Sequence, residues 1–269
     1  MKNKMLKYLI VFIAFYSNTI KSQTSDFSEI LRIDATADFF TVDVLGNIYL
    51  INNDYLTKYN KSGKVLSNWS SKNKGRITSV DTSDPMKILV NCGDFGIITL
   101  LDNNLNPVSE QISLAEMGFI PPFIVCNASE GGFWLFDNLQ LQLIKFSNNL
   151  KIIVKSPEIK INENIPPQPV FMLEYNNNVF ISDTNYAVLI TDRYGALIRT
   201  LPIKKIKEFH CYNNYLIYND VKNINFLNLN TLNTSCLSVP YDNCKSIKTD
   251  RNKLYILDNK GISIFNLSF

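Results

Sequence analysis

A repeated unit of about 40 residues is the feature that most restricts the fold of this chain. Its first copy, residues 46–66, reads GNIYLINNDYLTKYNKSGKVL. Apolar runs in this stretch are separated by turn residues, first at NND and then at KSG, which predicts strand, turn, strand, turn, strand. Corresponding residues of the second strand recur 36 to 46 positions apart, at Ile48, Ile88, Phe133, Val179, Tyr215 and Leu254.

Four short strands in a unit of this length are typical of a β-propeller blade. Residues 39–43 supply the innermost strand of the first unit, and outer strands are predicted at GKVL (63–66), NPVSE (106–110), LKIIVK (150–155), GALIRTL (195–201) and LNTSCLSV (232–239). The sequence therefore predicts an all-β chain that forms a single six-bladed propeller with four-stranded blades. A β-sandwich built from irregular hairpins is the alternative.

The sixth copy ends at Phe269, before any outer strand. The segment FSEILRI, Phe27 to Ile33, precedes the first inner strand and belongs to no other blade. We expect it to pair with the sixth blade, so that the N-terminal strand closes the ring. Closure of this kind removes sheet edges that would otherwise promote aggregation.

The first 22 residues have the pattern of a secretory signal peptide. Lys2, Lys4 and Lys7 surround the start of an apolar run, residues 6–16, which is followed by small and polar residues up to Ser22. This run is about half the length that a membrane-spanning helix needs, so a retained anchor is the weaker interpretation. The predicted organisation is a signal peptide at 1–22 and a propeller domain at 23–269. No cysteine lies near the predicted cleavage point, which disfavours a lipid anchor.

The formal net charge of +3 is concentrated in this leader. Without its four lysines the chain has 23 basic and 24 acidic side chains and no basic cluster. Nucleic-acid binding requires a positive surface, so nucleic acid is excluded as a partner. No later apolar run is long enough to span a membrane.

The unit GNIYLINNDYLTKYNKSGKVL resembles the blade of six-bladed propellers of the NHL and TolB-like kind. The resemblance covers most of the chain, although the second and fifth copies keep only the apolar pattern. Exported propellers with a plain leader also resemble accessory subunits of bacterial envelope assemblies, including the type 9 secretion and gliding machinery. The resemblance implies a periplasmic or cell-surface protein that binds another protein.

No familiar catalytic spacing occurs in the chain, and neither a cofactor nor a metal is expected. His210 is the only histidine, which excludes a metal site built from several imidazoles. It lies near the end of a predicted inner strand, and the other inner strands end in acidic or amide residues. Because inner strands line the channel of a propeller, the candidate ligand-binding residues are Asp43, Asp81, Asn127, Glu174, His210 and Asp250.

Two interpretations of this predicted collar are possible. It can hold a cation or a small polar ligand, with His210 titrating near neutral pH. Alternatively, each carboxylate or amide caps the backbone of the turn that follows its strand.

The chain has five cysteines: Cys92, Cys126, Cys211, Cys236 and Cys244. Disulfides form readily in exported proteins, and two bridges with one cysteine left over allow 15 pairings. Buried free thiols that pack as small apolar side chains are the other interpretation.

We expect a non-enzymatic protein-interaction module, with a hydrolase or lyase that uses the collar as the alternative. Two linkers depart from the repeat. Residues 111–122 have room for a short helix, and residues 156–169 are rich in proline. Both connect an outer strand to the next inner strand, so they should lie on one face of the ring and are candidate contact loops.

Overall fold

The computed structural model describes residues 28–161, 166–184, 186–204, 206–220, 223–239 and 244–267. The predicted leader, its cleavage point and Phe27 lie outside these residues. The described residues form six four-stranded antiparallel sheets, which confirms the predicted six-bladed β-propeller.

Blades are numbered along the chain, and the strands of each are given from the channel outward. Blade 1 consists of β2 (Phe39–Val42), β3 (Ile48–Asn52), β4 (Tyr55–Tyr59) and β5 (Val65–Ser70). Blade 2 consists of β6 (Ser79–Asp81), β7 (Ile88–Cys92), β8 (Ile97–Leu101) and β9 (Ile112–Ser113). Blade 3 consists of β10 (Ile124–Asn127), β11 (Phe133–Asp137), β12 (Gln142–Phe146) and β13 (Ile152–Lys155).

The other three blades repeat this order. Blade 4 consists of β14 (Pro169–Tyr175), β15 (Asn178–Asp183), β16 (Ala187–Thr191) and β17 (Leu197–Leu201). Blade 5 consists of β18 (Phe209–Tyr212), β19 (Tyr215–Asn219), β20 (Asn223–Asn228) and β21 (Thr234–Ser238). Blade 6 consists of β22 (Ser246–Asp250), β23 (Lys253–Leu257), β24 (Ile262–Asn266) and, outermost, β1 (Ser28–Ile33).

The N-terminal strand closes the ring, as the sequence predicts. Strand β1 pairs antiparallel with β24, and Ile33 lies opposite Ile262. Arg32 reinforces this pairing, because its Nη2 atom lies 3.1 Å from Oδ2 of Asp258 and its Nη1 atom donates a 2.7 Å hydrogen bond to Oγ of Ser263. The last blade is thus assembled from both ends of the chain.

The hydrophobic core lies between neighbouring blades, in six clusters of buried apolar side chains. Between blades 3 and 4, for example, Trp134 and Phe136 pack with Val179 and Ile181. Full burial of one large apolar side chain contributes about 1.5–3 kcal/mol. Each blade therefore depends on its neighbours for much of its stability.

Turns between third and outer strands are stabilised by a recurrent side-chain cap. Oδ1 of Asn60 accepts hydrogen bonds from the backbone N–H groups of Ser62 (3.0 Å) and Lys64 (2.9 Å). Asp102 and Asp192 cap the corresponding turns of blades 2 and 4 in the same way. Gly63, between the two N–H groups, has a φ of +80°, a conformation that glycine adopts without strain.

The structure corrects three details of the predicted repeat. The buried second-strand residue of blade 5 is Leu216, whereas Tyr215 is 38% exposed, so the predicted register there is wrong by one residue. The outer strand of blade 2 is β9 and not 106–110, where only Pro107 forms an isolated bridge. Residues 111–122, where the sequence left room for a short helix, form β9 and turns.

The two faces of the ring follow from the strand order. Inner strands begin on one face, here called the entry face, and end on the other, the exit face. Each blade is an antiparallel meander of four strands, so an outer strand ends on the entry face. The connection 111–122 and the described parts of the next long connection, 156–161 and 166–168, therefore lie on the entry face, as predicted. In the second of these, Ile159 is buried and donates a 2.7 Å backbone hydrogen bond to Leu141.

Candidate functional site

The six inner strands surround a central channel with a volume of about 1190 Å³. At the entry face the channel is lined by Thr78, Pro121, Pro122 and Val170, and it continues to the exit face. A cavity of this size exceeds most small-molecule sites. The residues of the predicted collar all contribute to its wall.

Strand pairing distributes the predicted collar over three successive registers. The position of each residue follows from the second-strand residue with which it pairs. Asp81 and His210 lie nearest the entry face, and Asn127 and Glu174 lie one residue further along the channel. Asp43 and Asp250 lie one residue further again, at the exit mouth. The six side chains therefore form a staggered band on the channel wall. Most of them also have defined partners within the protein.

Asp43 is 2% exposed and caps the turn that follows β2. Its Oδ1 atom accepts backbone hydrogen bonds of 2.9 Å from Leu45 and Asn47. The Oδ2 atom accepts from Nδ2 of Asn47 (2.8 Å) and from the hydroxyl of Tyr49 (2.9 Å). All four contacts lie within blade 1, as the capping interpretation predicts.

Asp81 and Asn127 connect blade 2 to blade 3. Oδ1 of Asp81 caps Ser83 at 2.9 Å, while Oδ2 accepts a 2.8 Å bond from the backbone N–H of Asn127. The amide group of Asn127 donates to the carbonyl oxygens of Asp81 (3.3 Å) and Lys87 (3.0 Å). These two donations fix the orientation of the amide.

Glu174 connects blade 4 to blade 3. Its Oε2 atom accepts hydrogen bonds from Nε1 of Trp134 (2.7 Å) and from the backbone N–H of Ser129 (3.1 Å), and Oε1 accepts from the Ser129 hydroxyl. The carboxylate thus satisfies the polar atom of a fully buried tryptophan in the neighbouring blade.

His210 connects blade 5 to blade 6, because its Nε2 atom lies 2.8 Å from Oγ1 of Thr249. Burial of the imidazole, together with the nearby positive charge of Lys248, lowers its pKa from 6.5 to about 3. His210 is therefore neutral at physiological pH, and the predicted titration near neutrality is wrong.

Asp250 differs from the other predicted collar residues. Among the described residues, no side chain or backbone group donates a hydrogen bond to its carboxylate. Burial raises the pKa of Asp250, and the charge of Asp43 acts in the same direction. Asp250 is therefore the carboxylate of the exit mouth that is most available to a ligand.

Comparisons with known proteins add to this geometry. No protein-family model matches the chain, and no curated protein sequence is similar to it. The structure resembles a catalytically inactive histidine-to-alanine variant of virginiamycin B lyase from Staphylococcus aureus with quinupristin. The TM-score is 0.57 at 14% identity, over 90% of this chain and 88% of the lyase.

Two other solved structures with a similar fold belong to different proteins. The WD40 domain of Pan2 from Neurospora crassa has a TM-score of 0.59 at 9% identity, over 87% of this chain and 90% of that domain. BBS1N, solved in complex with ARL6DN, has a TM-score of 0.54 at 13% identity, over 91% of this chain and 97% of that one. Similarity at such low identity shows the propeller fold alone.

Two buried lysines, not singled out from the sequence, contribute to the same polar network. Lys58 and Lys145 lie directly opposite Tyr49 and Trp134 on neighbouring strands of blades 1 and 3. Each lysine is at most 4% exposed, and each Nζ lies 5.2 to 5.4 Å from the centroid of its aromatic ring. Cation–π attraction of this kind contributes about 0.5–2 kcal/mol.

The polar tips of the same two aromatic rings bond to Asp43 and Glu174. Blades 1 and 3 thus share an arrangement of lysine, aromatic ring and carboxylate. The sequence contains one sign of this arrangement: a lysine occupies the same position in the third strands of blades 1 and 3, within LTKYN (56–60) and LIKFS (143–147).

The entry face carries a group of exposed apolar side chains beside the 111–122 connection. Their exposed fractions lie between 36% and 60%, and we refer to Phe95, Met117, Ile120 and Leu139 as the entry patch. Backbone and side-chain contacts hold the underlying segments together: Leu114 bonds to the carbonyl of Gly96, and Nδ2 of Asn138 bonds to that of Ile120.

Within the described residues, no three His, Cys, Asp or Glu side chains converge as metal ligands. In the same residues, no helix has the length and hydropathy needed to cross a bilayer. Cys92 and Cys126 are buried, Cys211 and Cys244 are partly buried, and Cys236 is exposed on β21.

Proposed function

We propose that this chain is an exported, non-enzymatic β-propeller that acts as a protein-interaction module. The main observation behind this proposal is that polar side chains of the channel wall bond to other parts of the protein. Asp43, Asp81 and Glu174 accept hydrogen bonds from turns and neighbouring blades, so their primary role is in the scaffold. A catalytic acid or base must instead be within reach of a substrate proton.

The properties of His210 support the same conclusion. The structurally similar lyase variant that lacks one histidine is catalytically inactive. In this chain the only histidine is bonded to Thr249, and its pKa of about 3 makes it a weak base at neutral pH. BBS1N, a propeller of similar fold, was solved in complex with another protein.

We infer that the entry patch is the contact surface. Exposed apolar residues scattered singly are normal, whereas neighbouring ones beside an insertion suggest a protein contact. Aromatic side chains and methionine are also enriched at protein interfaces, and the patch contains Phe95 and Met117. The partner would bury these side chains together with the 111–122 connection.

The leader and the resemblance to NHL and TolB-like propellers support a location in the periplasm or on the cell surface. In that compartment the chain would be an accessory subunit of a cell-envelope assembly, such as the type 9 secretion and gliding machinery.

Affinity capture with matched variants tests this proposal. Immobilised residues 23–269 would be incubated with detergent-solubilised envelope proteins, and recovered proteins would be identified by mass spectrometry. We expect one reproducible partner that is lost with Phe95→Ser/Ile120→Ser. It should be retained with Leu66→Ser/Tyr194→Ser, which alters residues that are 52% and 62% exposed and lie away from the entry patch, in β5 and in the turn before β17. Recovery of no partner, or equal loss with both variants, would contradict the proposal.

A further inference from the structure

A pocket with a volume of about 540 Å³ lies between blades 6 and 1, beside the segment that joins the closing strand β1 to β2. Small-molecule sites in proteins usually have volumes of about 300–1,000 Å³. We refer to this cavity as the junction pocket. It is lined on one side by Tyr55, Thr57 and Tyr59 of β4, and on the other by Asp34, Thr36 and Lys260.

The junction pocket is open because blade 6 leaves part of the third strand of blade 1 uncovered. Thr57, in the middle of β4, pairs with Leu50 and is only partly buried. In the other five blades the equivalent third-strand residue is at most 9% exposed; these residues are Thr99, Ile144, Leu189, Asn225 and Ser263. A position that the neighbouring blade seals elsewhere is therefore accessible between blades 6 and 1.

Two tyrosines of β4 face this opening. Tyr55, Thr57 and Tyr59 alternate with the buried Leu56 and Lys58, so their side chains lie on the same side of the strand. Tyr55 is 60% exposed, whereas Tyr59 packs partly against the buried apolar cluster between the two blades. The pocket thus presents aromatic surface to a ligand, with a hydroxyl group on each ring.

Several polar groups of the junction pocket are available for hydrogen bonds with a ligand. Within the part of the chain that the structure describes, the hydroxyl groups of Tyr55, Thr57 and Tyr59 form no hydrogen bond. Nδ2 of Asn52 reaches the carbonyl oxygen of Thr36 at a long distance of 3.5 Å. Hydroxyl and amide groups of this kind supply both donors and acceptors.

Contacts with blade 6 hold the opposite wall of the pocket in place. A Cβ atom at position 261 would lie 2.1 Å from the carbonyl oxygen of Ile33, so Gly261 lets the 33–35 segment cross directly over the turn before β24. Nε of Arg32 also donates a 2.9 Å hydrogen bond to Oδ1 of Asp34. A wall that is already fixed loses little conformational freedom when a ligand binds.

The charge of the junction pocket favours a neutral ligand, because Asp34 and Lys260 are its single acidic and single basic lining residues. A saccharide matches this lining. The C–H face of a sugar ring packs on an aromatic ring, and its hydroxyl groups both donate and accept hydrogen bonds. A proline-rich peptide also packs on aromatic side chains. Proline offers only its carbonyl oxygen, however, and would leave the oxygen atoms of Asn52 and Thr57 without a donor.

We propose that the junction pocket binds a neutral saccharide, with a sugar ring stacked on Tyr55 and its hydroxyl groups bonded to Thr57 and Asn52. The pocket lies between blades 6 and 1, whereas the entry patch belongs to blades 2 and 3 and the connection between them. The inference therefore adds a second binding site and does not depend on the proposed protein contact.

A glycan array probed with fluorescently labelled residues 23–269 tests this inference. The affinity of the neutral saccharide that binds best would then be measured by titration calorimetry. We expect binding that added NaCl leaves unchanged, because the pocket has no net charge. Tyr55→Ala should weaken binding about tenfold, and Tyr55→Trp should retain it. Thr57→Val keeps the shape of the side chain but removes its hydroxyl group, and it should weaken binding about threefold.

Tyr194→Ala is the matched control, because Tyr194 is 62% exposed and lies in the turn before β17, away from the junction pocket. This variant should leave the affinity for the saccharide within about twofold. Thermal unfolding would show that all four variants are folded.

Binding of no neutral saccharide, or equal affinities of the Tyr55→Ala and Tyr194→Ala variants, would overturn the inference. So would binding of a polyproline peptide that the saccharide does not displace, which would identify a peptide groove. Phe95→Ser/Ile120→Ser should retain saccharide binding, so a failure here is distinguishable from a failure of partner capture.

Discussion

Nε1 of Trp134 in blade 3 donates a 2.7 Å hydrogen bond to Oε2 of Glu174 in blade 4. The tryptophan is fully buried, and its indole N–H has only this one proton to donate. The contact joins two blades across a gap of 40 residues in sequence. It shows how a residue predicted to bind a ligand also holds the ring together.

Replacement of Glu174 should therefore destabilise the propeller. Glu174→Ala leaves the indole N–H and the Ser129 donors unpaired, with an expected loss of about 2–4 kcal/mol in the free energy of unfolding. Glu174→Gln retains an acceptor and should lose less. Urea denaturation measures both, with the exposed Glu110→Ala as control, expected within about 0.5 kcal/mol of the parent. Equal stabilities of the Glu174→Ala and Glu110→Ala variants would contradict this role.

Asp43→Ala tests whether the exit mouth depends on a bound cation. Loss of four hydrogen bonds at a buried carboxylate should cost about 2–3 kcal/mol of stability. Because all four donors belong to blade 1, the loss should be the same with Ca²⁺ and with a chelator. Thermal unfolding in the two buffers measures it. If Ca²⁺ stabilised the parent protein but not the Asp43→Ala variant, the cation-binding interpretation would be favoured.

His210 should make stability depend on pH. Its pKa is about 3 in the folded chain and close to 6.5 when unfolded, so the unfolded chain binds the proton more readily between these values. Acidification through this window therefore removes about 1.4 kcal/mol of stability per pH unit. The His210→Gln variant has no titrating group at this position, so its free energy of unfolding should fall less between pH 7 and pH 4. Free energies of unfolding would be measured against pH for both proteins. Parallel curves for the variant and the parent would contradict the low pKa and show that the imidazole is solvated.

Closure of the ring by β1 should depend on the pair formed by Arg32 and Asp258. Both carboxylate oxygens of Asp258 accept hydrogen bonds from Nη2 of Arg32, at 3.3 and 3.1 Å, and both side chains are partly buried. A double-mutant cycle with Arg32→Met and Asp258→Asn should give a coupling free energy of about 1 kcal/mol.

The matched control cycle uses Arg193 and Glu130, a single 3.1 Å contact between exposed side chains. Its coupling should lie near zero, since exposed ion pairs contribute little. Equal coupling free energies in the two cycles would contradict a specific contribution of Arg32 to ring closure.

The architecture was predictable because one local pattern recurs. Buried residues such as Ile48 and Leu254 repeat with their flanking turns, and closure by residues 28–33 follows from the strand missing from the last copy. The register of blade 5 was not predictable from the same pattern. Tyr215 and Leu216 are both apolar, and only packing against the neighbouring blades distinguishes the buried one from the exposed one.

The roles of the channel residues were less accessible from sequence. A cap such as Asp43 bonds to residues two to six positions away, which sequence reasoning can anticipate. Asp81 and Asn127 are 46 positions apart, and their contact depends on how two blades pack. The low pKa of His210 likewise comes from burial by the surrounding fold. Such long-range effects have no local sequence signal.

Site-specific photocrosslinking tests the central claim, that the propeller binds a partner protein through its entry face. A photoreactive phenylalanine would replace Met117 in the entry patch, or Leu66 on the outer rim as the control. The account predicts one crosslinked partner from envelope extracts at position 117 and none at position 66. Crosslinking at position 66 but not at position 117 would contradict it.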